Sequence, residues 1–120
     1  MNLEELIKQE EKVVRKVFEL KNKLIEAEFR EKNQECKLWV ETPFAQKGLK
    51  NAEQRKAFVK AELAKQIRTS DLYKNQINLC ENVLKLIRFK SRAIVDGGYD
   101  EKEDYDYYDE MIENLIKKIE

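Results

Sequence analysis

The residues from Val95 to Glu110, VDGGYDEKEDYDYYDE, carry the densest set of side chains in this chain that could do chemistry. The stretch combines closely spaced carboxylates with four of the five tyrosines. Such a row can imitate the phosphates and bases of a nucleic acid, and tyrosine favours protein interfaces because it is large, amphipathic and costs little entropy to order. We therefore predict a partner-binding surface made of Tyr99, Asp100, Glu101, Glu103, Asp104, Tyr105, Asp106, Tyr107 and Tyr108.

A simpler interpretation of the same carboxylates is a solvated connector that is attracted to the basic helix before it. Residues 1–46 hold 9 basic and 10 acidic side chains, residues 47–92 hold 12 and 4, and residues 93–120 hold 3 and 10. The net charge of zero therefore conceals a basic middle and an acidic end. The sequence alone leaves both interpretations open.

Metal binding and catalysis have little support in the residue types. The acidic stretch lacks the D-x-D-x-D-G pattern, with glutamate at position twelve, of a calcium-binding loop. The chain has no histidine, the commonest general base and zinc ligand. Phosphate-binding loops, dinucleotide-binding turns and C-x-x-C pairs are also missing. We expect no enzyme, no cofactor and no metal.

A basic row in the middle of the chain predicts an alternative, nucleic-acid-binding surface. Lys85, Arg88 and Arg92 recur at steps of three and four, with Phe89 beside them. Cations at this spacing can follow a phosphate backbone, and an aromatic ring can stack on an unpaired base. A solvated helix face has the same appearance, and the pI of about 6.4 lies below that of most nucleic-acid-binding domains.

The elements that must position these residues are helices. The glycines and the single proline cluster at Pro43–Gly48 and Gly97–Gly98, and these residues are the main helix breakers. We predict a single all-α domain: a long antiparallel, coiled-coil-like two-helix hairpin plus a short C-terminal helix. The predicted parts are a helix over about 2–40, a loop over 41–50, a helix over about 51–95, an acidic hinge over 96–105 and a helix over about 106–119.

Apolar spacing and capping residues support the two long helices. Asn2 and Asn51 each precede a glutamate or glutamine three residues later, which is a capping-box spacing. Ile7 and Val14 are expected to widen the buried stripe of the first helix. In the second helix the apolar stripe changes phase near residues 68–71, which indicates either a coiled-coil stutter or a break with Ser70 or Asp71 as the new cap. The apolar stripe of the first helix comprises Leu3, Leu6, Val13, Val17, Leu20, Leu24 and Ala27.

The register of a simple hairpin and the cysteines can also be predicted. A turn near residue 46 would place Cys36 beside residue 56 and Cys80 beside residue 12, roughly 35 Å apart, which excludes a disulfide. We expect both thiols to be reduced and buried.

The chain has no stretch of about 20 apolar residues, so we expect a soluble protein of the host cytoplasm without a membrane partner.

The segment 38–63, LWVETPFAQKGLKNAEQRKAFVKAEL, resembles the turn region of small helical proteins encoded by bacteriophages and prophages. The resemblance implies a phage or mobile-element origin and no particular activity. The acidic stretch is not part of it. The matching residues are Leu38, Trp39, Phe44, Gly48, Asn51, Arg55, Lys56, Ala57 and Phe58.

Three functions are consistent with these features. The first is a non-enzymatic factor that binds a protein partner and modulates or inhibits a host or viral nucleic-acid machine, with counter-defence as one such role. The second is direct nucleic-acid binding by the basic row, and the third is a coiled-coil assembly component. Wide apolar faces on two helices also predict a homo-oligomer, with a dimer as the first expectation.

Overall fold

The protein is all-α. In the computed structural model, residues 1–66, 68–97 and 105–119 are described, with the backbone alone at 105–107. The helices are α1 (Leu3–Glu41), α2 (Ala52–Ala64), α3 (Thr69–Val95) and α4 (Tyr105–Ile119). They form a rod with extents of 71 × 22 × 22 Å. The predicted fold class, a long helical hairpin with a short C-terminal helix, is confirmed.

Both asparagine caps have the geometry that the sequence predicts. The side-chain oxygen of Asn2 accepts from the backbone N–H of Glu5 at 2.8 Å, and Asn51 does the same for Gln54. Each bond satisfies one of the donors that the first turn of a helix leaves without a partner. The loop between α1 and α2 contains Gly48 at φ 76°, a left-handed conformation that suits glycine.

The second long segment breaks before the predicted position. α2 ends at Ala64, and the N–H groups of Lys65 and Gln66 bond three residues back, to Glu62 and Leu63, which tightens the last turn. α3 starts after Arg68, which makes no side-chain capping bond. The structure thus has the predicted break rather than a continuous helix with a stutter, but neither Ser70 nor Asp71 is the cap.

A side chain of α1 supplies the missing cap. The carboxylate of Glu31 accepts from the Ser70 N–H at 3.2 Å and from the Ser70 hydroxyl at 2.7 Å. Burial acts to raise the pKa of Glu31, but these hydrogen bonds and the charges of Arg68 and Lys74 outweigh it and lower the pKa. The start of α3 is thus fixed by a tertiary contact rather than by its own sequence.

The core is a seam between α1 and α3 that α4 closes on one side. Burial is complete or nearly so in a seven-residue repeat on α1 and in a matching stripe on α3. Isoleucines of α4 complete the cluster. Its buried members are Leu6, Val13, Leu20, Ile77, Cys80, Val83, Leu84, Ile87, Ile112, Ile116 and Ile119.

Of two expectations about burial, the one for the cysteines is half right and the one for Ile7 and Val14 is wrong. Cys80 is buried, but Cys36 is exposed, because it lies on the side of α1 away from the seam. Ile7 and Val14 do not widen the buried stripe, since 47% and 43% of their surfaces are exposed. These residues belong to a second apolar face of α1.

The helix register also differs from that of a simple hairpin turned at residue 46. Glu31 contacts Ser70, and the carboxylate of Glu10 accepts from Arg88 at 3.1 Å. The pairing is shifted by roughly two helical turns, because the chain that returns along α1 is divided into α2 and α3 instead of being one continuous helix.

Replacing Glu31 tests the tertiary cap. We expect Glu31→Ala to lower the free energy of unfolding by about 1 kcal/mol, the usual effect of removing a helix cap, and to speed amide exchange at residues 69–72. The matched control is Glu28→Ala, which removes an exposed ion pair with Lys74 at 3.8 Å and should change stability by less than about 0.5 kcal/mol. Equal losses in urea denaturation of the two variants would contradict the capping role.

Candidate functional site

Most of the predicted partner-binding surface lies outside the described residues. This holds for Tyr99, Asp100, Glu101, Glu103 and Asp104, while Tyr105, Asp106 and Tyr107 form the start of α4. Tyr108 is the first of the set with a described side chain. It is half-buried, and its ring lies 5.6 Å from that of Phe89 on α3. At this point the acidic segment meets the basic helix of its own chain.

The predicted basic row on α3 is partly engaged within the protein. Lys85, Arg88 and Arg92 are exposed on one side of α3, but Arg88 is bonded to Glu10 of α1. Phe89 is 55% exposed and is partly covered by Tyr108. Two cations, Lys85 and Arg92, therefore remain exposed without an ion pair to any described residue.

The contact between α3 and α4 contains a buried charge. Lys90 is fully buried, and its ammonium group bonds the carboxylate of Asp109. The other oxygen of Asp109 accepts from the amino group of Met1 at 2.5 Å. Burial tends to raise the pKa of Asp109, but the hydrogen bonds from Lys90 and Met1 outweigh it and hold the pKa below its usual value. The position of Asp109 between two cations suits a structural ion pair.

An aromatic cluster closes the loop end of the rod. The Phe44 ring lies 5.7 Å from the ring of Trp39 on α1 and 6.3 Å from that of Phe58 on α2. Arg55 sits over Phe44, and its Nε donates to the carbonyl of Leu49 in the loop. These contacts close the turn of the hairpin.

A groove of about 590 Å³ runs beside this cluster, between the last turns of α1 and the outer side of α2. We call it the basic groove. Trp39, 38% exposed, forms one wall with Glu35, and Lys56, Lys60 and Arg68 stand on the other side. Its lining residues are Glu35, Trp39, Lys56, Val59, Lys60, Leu63, Ala64 and Arg68.

The groove has the charge of a phosphate-binding surface. Its lining holds three cations, Lys56, Lys60 and Arg68, against one acid, Glu35. The surrounding segment, residues 47–68, has seven cations and two acids, and one of those acids, Glu62, is bonded to Lys65 at 2.9 Å. The hydrogen bond and charge of Lys65 lower the pKa of Glu62, which keeps this carboxylate ionised and paired. Lys56 and Lys60 stand one helical turn apart and form no ion pair with the described part of the chain. They can therefore bind an anion without losing an internal partner.

The sequence did not predict the basic groove. Trp39 and Lys56 are 17 positions apart and lie on different helices, so their proximity depends on the tertiary fold. The available signal was the excess of cations directly after an aromatic loop. The basic row on α3 can be predicted from the sequence, because its three cations follow the period of a single helix.

The described residues offer little for metal chemistry or membrane insertion. Over residues 1–66, 68–97 and 105–119, no group of three or more carboxylates and cysteines is placed to hold a metal ion. No helix within those ranges is long and apolar enough to span a bilayer.

Comparisons with protein-family models, with curated proteins and with solved structures find no match, so function has to be inferred from the residues of this chain.

Replacing Asp109 tests the ion pair that holds α4. We expect Asp109→Asn to lower the free energy of unfolding by about 2 to 3 kcal/mol at pH 7, because it removes a carboxylate from a buried lysine. The depressed pKa means that this contribution is present above about pH 4 and is lost as the pH falls through the folded-state pKa. The difference between wild type and variant in thermal denaturation should therefore shrink in acid.

A second substitution provides the control for this experiment. Lys90→Met in the Asp109→Asn background replaces the buried cation with an apolar chain of similar length and should restore most of the lost stability. A double variant as unstable as Asp109→Asn would show that the loss does not arise from the buried charge.

Proposed function

We propose that this protein is a non-catalytic binding factor that acts on a nucleic-acid machine and contacts its nucleic acid through the basic groove. The observation that carries the proposal is the joint exposure, along a single groove, of one tryptophan and two lysines that form no ion pair with the described residues. Lysines of this kind neutralise phosphates, and an exposed aromatic ring stacks on an unpaired base. The groove therefore fits a single strand better than a duplex, in which the bases are covered.

Several cations outside the basic groove are engaged in ion pairs within the chain. On α1, Lys8 pairs with Glu4 and Lys23 pairs with Glu19. In the basic row on α3, Arg88 is bonded to Glu10 and the ring of Phe89 is partly covered by Tyr108. Lys56 and Lys60 of the basic groove have no such pair with a described residue, so they can attract an anionic strand.

Binding of a single-stranded oligonucleotide tests this proposal directly. Trp39 is the only tryptophan, so quenching of its fluorescence reports occupancy of the groove. We expect the double variant Lys56→Gln/Lys60→Gln to bind at least about 10-fold more weakly. The slope of log K against log salt should fall by about 1.4, which is 0.7 for each lost phosphate contact.

The matched control removes the same charge elsewhere. Lys117→Gln/Lys118→Gln deletes two exposed lysines from α4 and should leave the affinity within about twofold. Equal weakening of both variants would indicate a general charge effect. The absence of oligonucleotide binding, or binding that leaves Trp39 fluorescence unchanged, would refute the role of the groove.

A second candidate function comes from the acidic, tyrosine-rich sequence. Under it, the residues from Tyr99 to Tyr108 bind a protein of the machine by imitating nucleic acid, as modulation or counter-defence would require. Its support is the density of carboxylates and tyrosines in this stretch. Tyr108, the last residue of the set, contacts Phe89 of α3. The phage or mobile-element origin stays a prediction from the resemblance of residues 38–63.

Affinity capture from a nuclease-treated bacterial lysate tests the second candidate. The wild-type protein should retain a stoichiometric protein partner. A variant with Asp100, Asp104 and Asp106 changed to Asn and Glu101 and Glu103 changed to Gln should lose it, since the carboxylates would supply the attraction. Retention of the same partner by the variant would remove the basis of this candidate.

A further inference from the structure

The side of α1 opposite the seam carries a second apolar stripe, separate from the core and from the basic groove. We call it the outer stripe. It has an eleven-residue period, with Ile7, Phe18, Phe29 and Val40 in one series and Val14, Ile25 and Cys36 in the other. Eleven residues make three turns of a nearly straight helix, so the stripe keeps to one side of α1 for about 50 Å.

The outer stripe is exposed along its whole length. Phe18, Ile25 and Phe29 expose 70%, 66% and 65% of their surfaces, and Val40 exposes 84%. Together the stripe presents on the order of 600 Å² of apolar surface, at the upper limit of the patches found on monomeric proteins. Isolated exposed apolar residues need no explanation, but a periodic row along one helix does.

We propose that the outer stripe is the interface of a homodimer in which the α1 helices of two copies pack antiparallel. The positions are self-complementary about a point between Lys21 and Asn22. In that register Ile7 faces Cys36 of the second copy, Val14 faces Phe29 of the second copy, and Phe18 faces Ile25 of the second copy. Leu3 faces Val40 of the second copy at each end, so every residue of the stripe meets an apolar or thiol side chain.

Charges beside the stripe favour the same register. In an antiparallel pair with a twofold axis, the same flank of each helix comes together. Arg15 then lies near Glu26 of the second copy, and Glu4 lies near Lys37 of the second copy. The apolar area of one stripe, with these flanks, approaches the 800 Å² or so per partner of a stable interface.

A parallel pair of the same helices is disfavoured by the basic loop ends. It would place the two copies of residues 47–68 side by side, each with seven cations against two acids. The antiparallel pair puts them at opposite ends of the dimer instead. Two basic grooves would then face outward from one rod, although the dimer itself does not depend on nucleic-acid binding.

Cysteine cross-linking determines both the dimer and its register. Under mild oxidation we expect Ile7→Cys to form a covalent dimer through Cys36 of the second copy. Wild type should not, because two Cys36 residues would be about 43 Å apart, far beyond disulfide range. Ile7→Ala is the control for the substitution, and Glu11→Cys tests a register shifted by one turn.

Light scattering supplies the measurement without a cross-link. Wild type should be a dimer, and Phe18→Asp should be a monomer with unchanged helical circular dichroism, because Phe18 lies outside the core. Leu72→Asp places the same charge at another exposed apolar site, 54% exposed on α3, and should remain dimeric.

Three results would overturn the proposal. A monomeric wild type at micromolar concentrations would exclude the dimer. Cross-linking of wild type through Cys36 would indicate a parallel pair, and cross-linking of Glu11→Cys without Ile7→Cys would indicate a different register.

Discussion

The structure depends on burial of the seven-residue repeat of α1 against α3. Leu6, Val13 and Leu20 are almost completely removed from solvent, each against residues of the α3 stripe. At about 1.5 to 3 kcal/mol for each buried side chain, this seam contributes strongly to stability. The seam also positions the other two helices. The last turns of α1 extend beyond the seam and contact α2, and Lys90 of α3 is oriented toward α4.

The buried lysine gives α4 a position that apolar packing alone would not. Ile112, Ile116 and Ile119 could slide by one turn along α3 and still meet apolar neighbours, because the seam repeats. A fully buried ammonium group is stable only where a carboxylate lies next to it. Asp109 provides this carboxylate to Lys90 and also accepts a hydrogen bond from the amino group of Met1. The pair therefore contributes specificity of docking more than stability.

Local features of the sequence are sufficient to predict the helices but not the register in which the helices pack. The asparagine caps, the left-handed Gly48 and Gly97 and the seven-residue stripe depend on neighbours within one or two turns, so they could be predicted. The register could not, because it depends on the break at 65–68 and on Glu31, a cap supplied from 39 positions away. Lys90 stands three residues after Ile87 at core spacing, but a lysine there is normally taken as solvated. The basic groove joins residues from two helices and needs the register first.

The two apolar faces of α1 have different periods, and this difference has a structural consequence. A seven-residue repeat stays in contact only if the helices coil in a left-handed sense, whereas an eleven-residue repeat favours a slight right-handed coil. On one helix these tendencies oppose each other, so the face toward α3 and the outer stripe can both be continuous only if α1 stays nearly straight. A straight helix of 39 residues offers its outer stripe to a long, rod-like partner better than to a compact one. A second α1 with the same period is such a partner, because the same opposition between its two apolar faces keeps it straight.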